Sequence, residues 1–144
     1  MGKKRIIKKQ GSTLDAGLKS RSLARLPKKK LDSGTLYIHA TYNNTKVSFT
    51  DRSGNLIMWS SSGALGFSGA KKSTPFAAAK VGEIIGEKAS SIGVKETDVV
   101  IRGVGAGRES ALRGFAGKGI SITKIVDDTP VPHNGPRPPK PRRV

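Results

Sequence analysis

Between Thr35 and Thr41 the chain alternates, Leu36, Ile38 and Ala40 standing between Tyr37, His39 and Thr41. A two-residue period marks a strand with one buried face. Asn43-Asn44-Thr45 turns the chain, and alternation resumes from Lys46 to Arg52, with Val47 and Phe49 on one face and Ser48 and Thr50 on the other. After a second turn, Arg52-Ser53-Gly54-Asn55, the run Leu56-Ile57-Met58-Trp59-Ser60 completes a predicted antiparallel meander.

The period then changes. Beyond a glycine-rich loop over residues 60–74, Ala77, Val81, Ile84, Ile85, Ala89 and Ile92 recur near one stripe of a helix running from Pro75 to about Ile92. Thr74 suits its N-cap, Pro75 its first position and Gly93 its stop. Gly82 and Gly86 would each cost about 1 kcal/mol in an exposed helix interior, so they are expected where the helix lies close against the sheet. Asp98 to Arg102 reads as an apolar β-branched strand. Gly103-Val104-Gly105-Ala106-Gly107 opens a short helix to about Ala116, and Ile120 to Val126 is the last strand.

Charge then divides the chain. Residues 1–33 hold eleven Lys and Arg against Asp15 and Asp32, residues 129–144 hold four against none, and the middle holds twelve against eight. The predicted organisation is a basic N-terminal extension (1–33), one α/β globular domain (34–128) and a Pro/Arg-rich tail (129–144). Six of eight prolines follow Thr129, so the tail cannot be a helix or an inner strand. A polyproline-like path at ~3.1 Å per residue would reach roughly 50 Å. A net charge of +17 repels a compact state and suits a polyanion, with nucleic acid the leading partner. A membrane is disfavoured because no apolar run approaches the ~18 residues of a span and no basic amphipathic helix is visible. Without cysteine there are no disulfides or thiolate metal sites. The N-terminus lacks the apolar core of a secretory signal, and Ile6 stands where myristoylation wants Ser or Thr.

Several enzyme-like patterns fail on inspection. The loop before Pro75 resembles a Walker A motif, but Ala70 stands where glycine should precede the lysine. What survives is a phosphate site for an RNA backbone, built from Lys71, Lys72, Ser73, Thr74 and the helix end. The glycines before Arg108 are spaced GxGxG, not the GxGxxG of a dinucleotide fold. There the functional reading is Arg108 and Arg113 facing phosphate, and the bland one a tight strand-to-helix turn. Asp51 and Asp127 could in principle hold magnesium in a nuclease, yet nothing supplies a third ligand, and Asp at a strand end is commonly a turn former. His39 is alone, so no metal site, catalytic residue or cofactor is expected. Pro138-Pro139-Lys140-Pro141-Arg142-Arg143 fits a proline-motif interaction protein, the alternative reading, but explains neither the N-terminal arm nor the loops.

Four segments together carry a resemblance: Asn43-Asn44-Thr45, Lys72-Ser73-Thr74-Pro75-Phe76-Ala77-Ala78, Gly105-Ala106-Gly107-Arg108-Glu109-Ser110, and Asp128-Thr129-Pro130-Val131-Pro132-His133-Asn134-Gly135 with Arg137-Pro138-Pro139. In order and spacing the chain resembles the ribosomal protein S11 family of the small subunit, bacterial or organellar type. The resemblance implies a single α/β domain with a mixed sheet of about five strands and two helices, of ribonuclease H-like topology without its catalytic carboxylates. It implies a non-enzymatic protein of cytoplasmic or organellar ribosomes. Such a protein binds and bridges small-subunit rRNA helices on the platform, near the messenger exit path and the Shine-Dalgarno cleft. Implied neighbours are ribosomal proteins seven and eighteen, with mRNA and initiation factor three as further partners. Carried over by position, the rRNA-binding residues are Asn43 and Asn44, Lys71 to Thr74, Gly105 to Ser110 with Arg113, and the tail residues His133, Asn134, Arg137, Lys140, Arg142 and Arg143. Lys3, Lys4, Arg5, Lys8 and Lys9 are expected to join them, in an arm that orders on RNA. Three positions depart from the family's pattern: Val104 where proline is usual, Pro136 where cysteine is common, and Pro141 within a basic run.

Overall fold

A computed structural model describes residues 28–140 of the chain. Its elements run β1 (Ser33–Ala40), β2 (Thr45–Thr50), β3 (Leu56–Ser61), a 3-10 turn (Gly69–Ser73), α1 (Pro75–Ile92), β4 (Glu96–Arg102), α2 (Gly107–Ala116) and β5 (Ser121–Asp127). The five strands form one sheet in the order β3-β2-β1-β4-β5. The expected meander is its antiparallel half, with Ile38 opposite Val47 and Phe49 opposite Met58. Strand β1 pairs in parallel with β4, and β4 with β5, so the sheet is mixed as the sequence predicts.

Both helices cover the same face. Leu36, Ile38, Val47, Phe49, Met58, Val99 and Ile101 point into a core shared with Val81, Ile84, Ile85, Ala89, Ala111 and Phe115. All six residues of the predicted stripe on α1 are buried. The ends of α1 are set by the residues the sequence nominates. Thr74 Oγ1 accepts the amide N–H of Ala77 at 3.3 Å. Gly93, at φ 100°, donates to Ala89 and Ser90, and Val94 N–H returns to Ala89 O at 3.1 Å. That last bond is the Schellman closure, which needs a left-handed residue at the glycine. Thr74→Ala should lower stability by about 1 kcal/mol, read from the urea midpoint, since it strips a donor partner from the first turn.

The expected close approach of Gly82 and Gly86 is real, but its partner is α2 and not the sheet. A Cβ at Gly82 would stand 2.2 Å from Ala111 O, and one at Gly114 2.4 Å from Ala79 O. The helices therefore cross backbone to backbone, and side-chain periodicity cannot reveal which neighbour a glycine faces.

Asp51, at the end of β2, behaves as the turn former expected. Only 6% exposed, it accepts Asn55 Nδ2 at 3.1 Å and Asn55 N–H at 2.9 Å, with Lys29 Nζ at 3.5 Å. The Asn55 bonds, helped by Lys29, hold its carboxyl below the usual range against the opposing effect of burial.

Candidate nucleic-acid interface

The sheet topology gathers the four sequence segments at one end. Strands β1, β4 and β5 finish there, β2 begins there, and β3 ends opposite it, with Lys46 paired to Ser61. Hydrogen bonds tie the connections together. Ser62 N–H donates to Thr45 O at 3.0 Å, Gly105 N–H to Ala40 O at 2.9 Å, and Asp128 N–H to Ile101 O at 2.9 Å. Both helices start at this end, so their positive poles point the same way as the loops.

The turn between β1 and β2 is closed by Thr41. Its N–H donates to Asn44 O at 2.9 Å, and its Oγ1 donates to the same carbonyl at 3.0 Å and accepts Asn44 N–H at 3.1 Å. Asn43 is left exposed at the tip. Behind it, Asn44 Oδ1, Thr45 Oγ1 and Ser62 Oγ are buried without a hydrogen-bond partner among the described residues.

At the start of α1 the structure divides the predicted phosphate group. Ser73 Oγ donates to Ala70 O at 3.1 Å and Thr74 Oγ1 to Lys71 O at 2.7 Å, so both hydroxyl protons serve the turn. Lys71 is exposed and Lys72 half-buried, and neither ammonium has an acidic partner among the described residues. At this corner the two ammonium groups stand open while the two hydroxyl protons are engaged within the chain. Phe76 stands beside them, exposed, edge-on to Phe67 at 6.1 Å with Lys80 Nζ 5.6 Å from its ring centre.

The start of α2 is the open one. Ala106 precedes it and offers no side-chain cap, so no side chain there satisfies the first-turn N–H groups. The loop is pressed onto β1 and β2. A Cβ at Gly105 would meet Thr41 O at 2.3 Å, and one at Gly107 would meet the unpartnered Thr45 Oγ1 at 2.3 Å. Alanine at position 106, where a capping residue would be usual, is the signal in the sequence that this helix end is uncapped.

Arg108 does not point outward from that loop. Its guanidinium donates to Gly103 O, to Thr129 Oγ1 at 3.2 Å and to the Asp127 carboxylate. Thr129 completes the clamp. Its hydroxyl donates to Asp127 Oδ1 at 2.6 Å and accepts Gly103 N–H at 3.2 Å, and its own N–H reaches the same carboxylate at 3.0 Å. The bond from the Thr129 hydroxyl, then that from Arg108, hold the Asp127 carboxyl below its usual range. One strand outward, Arg102 Nη2 meets Asp128 Oδ2 at 2.5 Å. Arg113 pairs with Glu109 on the exposed side of α2, and Ser110 is half-buried beside it.

The clamp sets the point where the tail leaves the body. Residues 130–140 are all exposed and carry no regular secondary structure, His133, Arg137 and Lys140 among them. The tail is not straight. Asn134 sits at φ 55°, and a Cβ at Gly135 would come within 2.9 Å of Pro132 Cβ, so the path bends there and falls short of a fully extended reach. Asparagine tolerates the left-handed region better than other side chains, so the Asn134-Gly135 pair is the natural hinge between prolines.

Lys3, Lys4, Arg5, Lys8, Lys9, Arg142 and Arg143 lie outside the described residues. The two carboxylates weighed for a magnesium site stand at opposite ends of the sheet, Asp51 at the start of β1 and Asp127 at the finish of β4 and β5. Among the described residues no group of His, Asp or Glu could hold a metal ion, and no helix is long and apolar enough to cross a membrane. A family model described as ribosomal protein S11 matches residues 34–143.

Proposed function

The chain belongs to the ribosomal protein S11 family, a structural component of the small ribosomal subunit, and from that premise we propose that it anchors and bridges rRNA helices on the subunit's platform. The convergence of four cation- and amide-bearing segments at one end of a rigid sheet supports this reading most. Cations there neutralise phosphates and release counterions, while the folded body fixes where each contact begins. Lys71 and Lys72, the open start of α2, the Asn43-Asn44 turn and the tail from His133 onward are the contacts. Arg108 acts one step removed, by fixing the tail's departure. The platform position brings the messenger exit path and the Shine-Dalgarno cleft within reach, with ribosomal proteins seven and eighteen, mRNA and initiation factor three as neighbours.

The test is salt-dependent binding of the full chain to small-subunit rRNA, with sedimentation of the chain on small subunits after a high-salt wash. Each phosphate contact adds about 0.7 to 0.9 to the slope of log affinity against log salt. Lys71→Ala with Lys72→Ala should flatten the slope by roughly 1.5 and reduce incorporation into small subunits. Unchanged slope and incorporation would remove the lysine corner from the interface. A wild-type chain that neither binds rRNA nor stays on washed subunits would remove the whole reading.

A further inference from the structure

The helices cover one face of the sheet, and among the described residues no element packs on the other. On that bare face one row crosses four strands as Trp59, Ser48, Tyr37 and Val100, and the register continues it to Val126 on β5. Trp59 is 55% exposed and Tyr37 42%, a costly arrangement for two large rings unless something covers them. They stand two strand spacings apart, about 10 Å, and only the small Ser48 lies between.

The next row toward the loop end carries two basic side chains and a histidine. Lys46, His39 and Arg102 are neighbours across β2, β1 and β4. Arg102 is held by Asp128, and Lys46 has no acidic partner among the described residues. Apart from Asp128, the face's acids lie toward its other end: Asp98 is paired in register with Lys124, and Glu96 is beyond it. The surface therefore offers aromatic faces in its centre and positive charge along the margin nearest the phosphate-binding loops.

We propose that this open face is a platform for single-stranded RNA, with unpaired bases stacking on Tyr37 and Trp59 while their backbone runs along Lys46 toward the Asn43-Asn44 turn. Charge complementarity favours RNA over an apolar protein surface, because Lys46, without an acidic partner among the described residues, borders the rings in a chain of net charge +17. Sequence-tolerant stacking on exposed aromatics of a sheet, with cations tracking the backbone, is a general means of holding single strands. The inference rests on the rRNA reading above and adds a second surface, with a different ligand form, to the loop end.

Trp59 is the only tryptophan in the chain, so its emission reports on this face alone. The full chain is titrated with a labelled twelve-nucleotide oligouridylate and with a duplex RNA of equal length. Single strands should quench Trp59 emission in step with the anisotropy change, and duplex should not. Tyr37→Leu should weaken oligouridylate binding about tenfold with the salt slope unchanged, since stacking releases no counterions. Both rings are exposed, so Tyr37→Leu and Trp59→Leu should keep the wild-type melting temperature. Oligonucleotide binding with unaltered Trp59 emission and a wild-type affinity for Tyr37→Leu overturns the platform. So does failure to bind the oligonucleotide by a chain that still binds rRNA, which leaves the earlier reading intact. Normal RNA binding by the two variants with poor entry into small subunits would assign the face to a protein neighbour instead.

Discussion

Gly82→Ala is expected to cost about 3 kcal/mol or more, a large fraction of the ~5–15 kcal/mol that ordinarily holds a domain folded. The added methyl would sit 2.2 Å from Ala111 O and 3.1 Å from Phe115 N, both backbone atoms of α2. Neither can swing aside as a side-chain tip can, so the helices must separate, and with them the packing of Phe115, Val81 and Ile85. Overpacking typically costs 1–3 kcal/mol, and a clash with rigid backbone belongs at or above the top of that range. Position 86 provides a graded comparison. There the nearest atom is Lys118 Cγ at 2.8 Å, followed by Phe115 O at 3.0 Å. Lys118 can shift, so Gly86→Ala should be milder. Gly63→Ala is the control, because its methyl would meet only side-chain atoms at ordinary contact distance, Lys72 Cδ at 3.6 Å and Ser61 Oγ at 4.0 Å. Urea midpoints ranked Gly82 below Gly86 below Gly63 would bear this out, and a tolerated Gly82→Ala would mean that the two helices do not cross in contact.

The second large effect concerns the tail. Removing residues 130–144 deletes Arg137, Lys140, Arg142 and Arg143 but none of the clamp, whose hydrogen bonds end at Thr129. Stability should be nearly unchanged. The salt slope for rRNA should fall by about 3, so the deficit against wild type, large at 50 mM salt, should shrink several tens-fold by 200 mM. Arg108→Leu separates charge from placement. It leaves every tail cation in the chain but releases Thr129 and Gly103 from their shared partner. Weaker rRNA binding with most of the salt slope retained is the expected signature of a tail that is present but badly aimed. Equal affinity for Arg108→Leu and wild type would mean that the tail finds its path unaided.

Much of the fold is legible because its signals are local. Leu36, Ile38, Val47 and Phe49 announce half-buried strands by period, and Thr74 and Gly93 bracket α1 because caps obey short-range geometry. The sites are less so. Arg108 reads as one more cation after a glycine loop, and only the parallel pairing of β4 with β5 brings Asp127 and Thr129 to it. Ser73 and Thr74 look like phosphate ligands until the 3-10 turn claims their protons, and that turn has no periodicity to betray it. The bare face of the sheet is visible in the alternation itself, since Tyr37 and Trp59 occupy polar-side positions. Its being uncovered is a matter of topology, decided by both crossovers packing on the same side.

The parallel junction also orders events in time. Strands β1, β2 and β3 are joined by short turns and can pair as soon as they are made. Strand β5 follows β4 by about twenty-five residues, from Glu96 to Ser121, whereas β1 meets β4 only across a separation of about sixty, from Ser33 to Glu96. Closures of that length are the slow steps of folding. The Arg108 clamp spans the loop after β4 and the residues just beyond β5, so it closes with the β4–β5 pair and not with the longer β1–β4 closure. A chain that has not paired β4 with β5 therefore has no fixed point from which its tail departs.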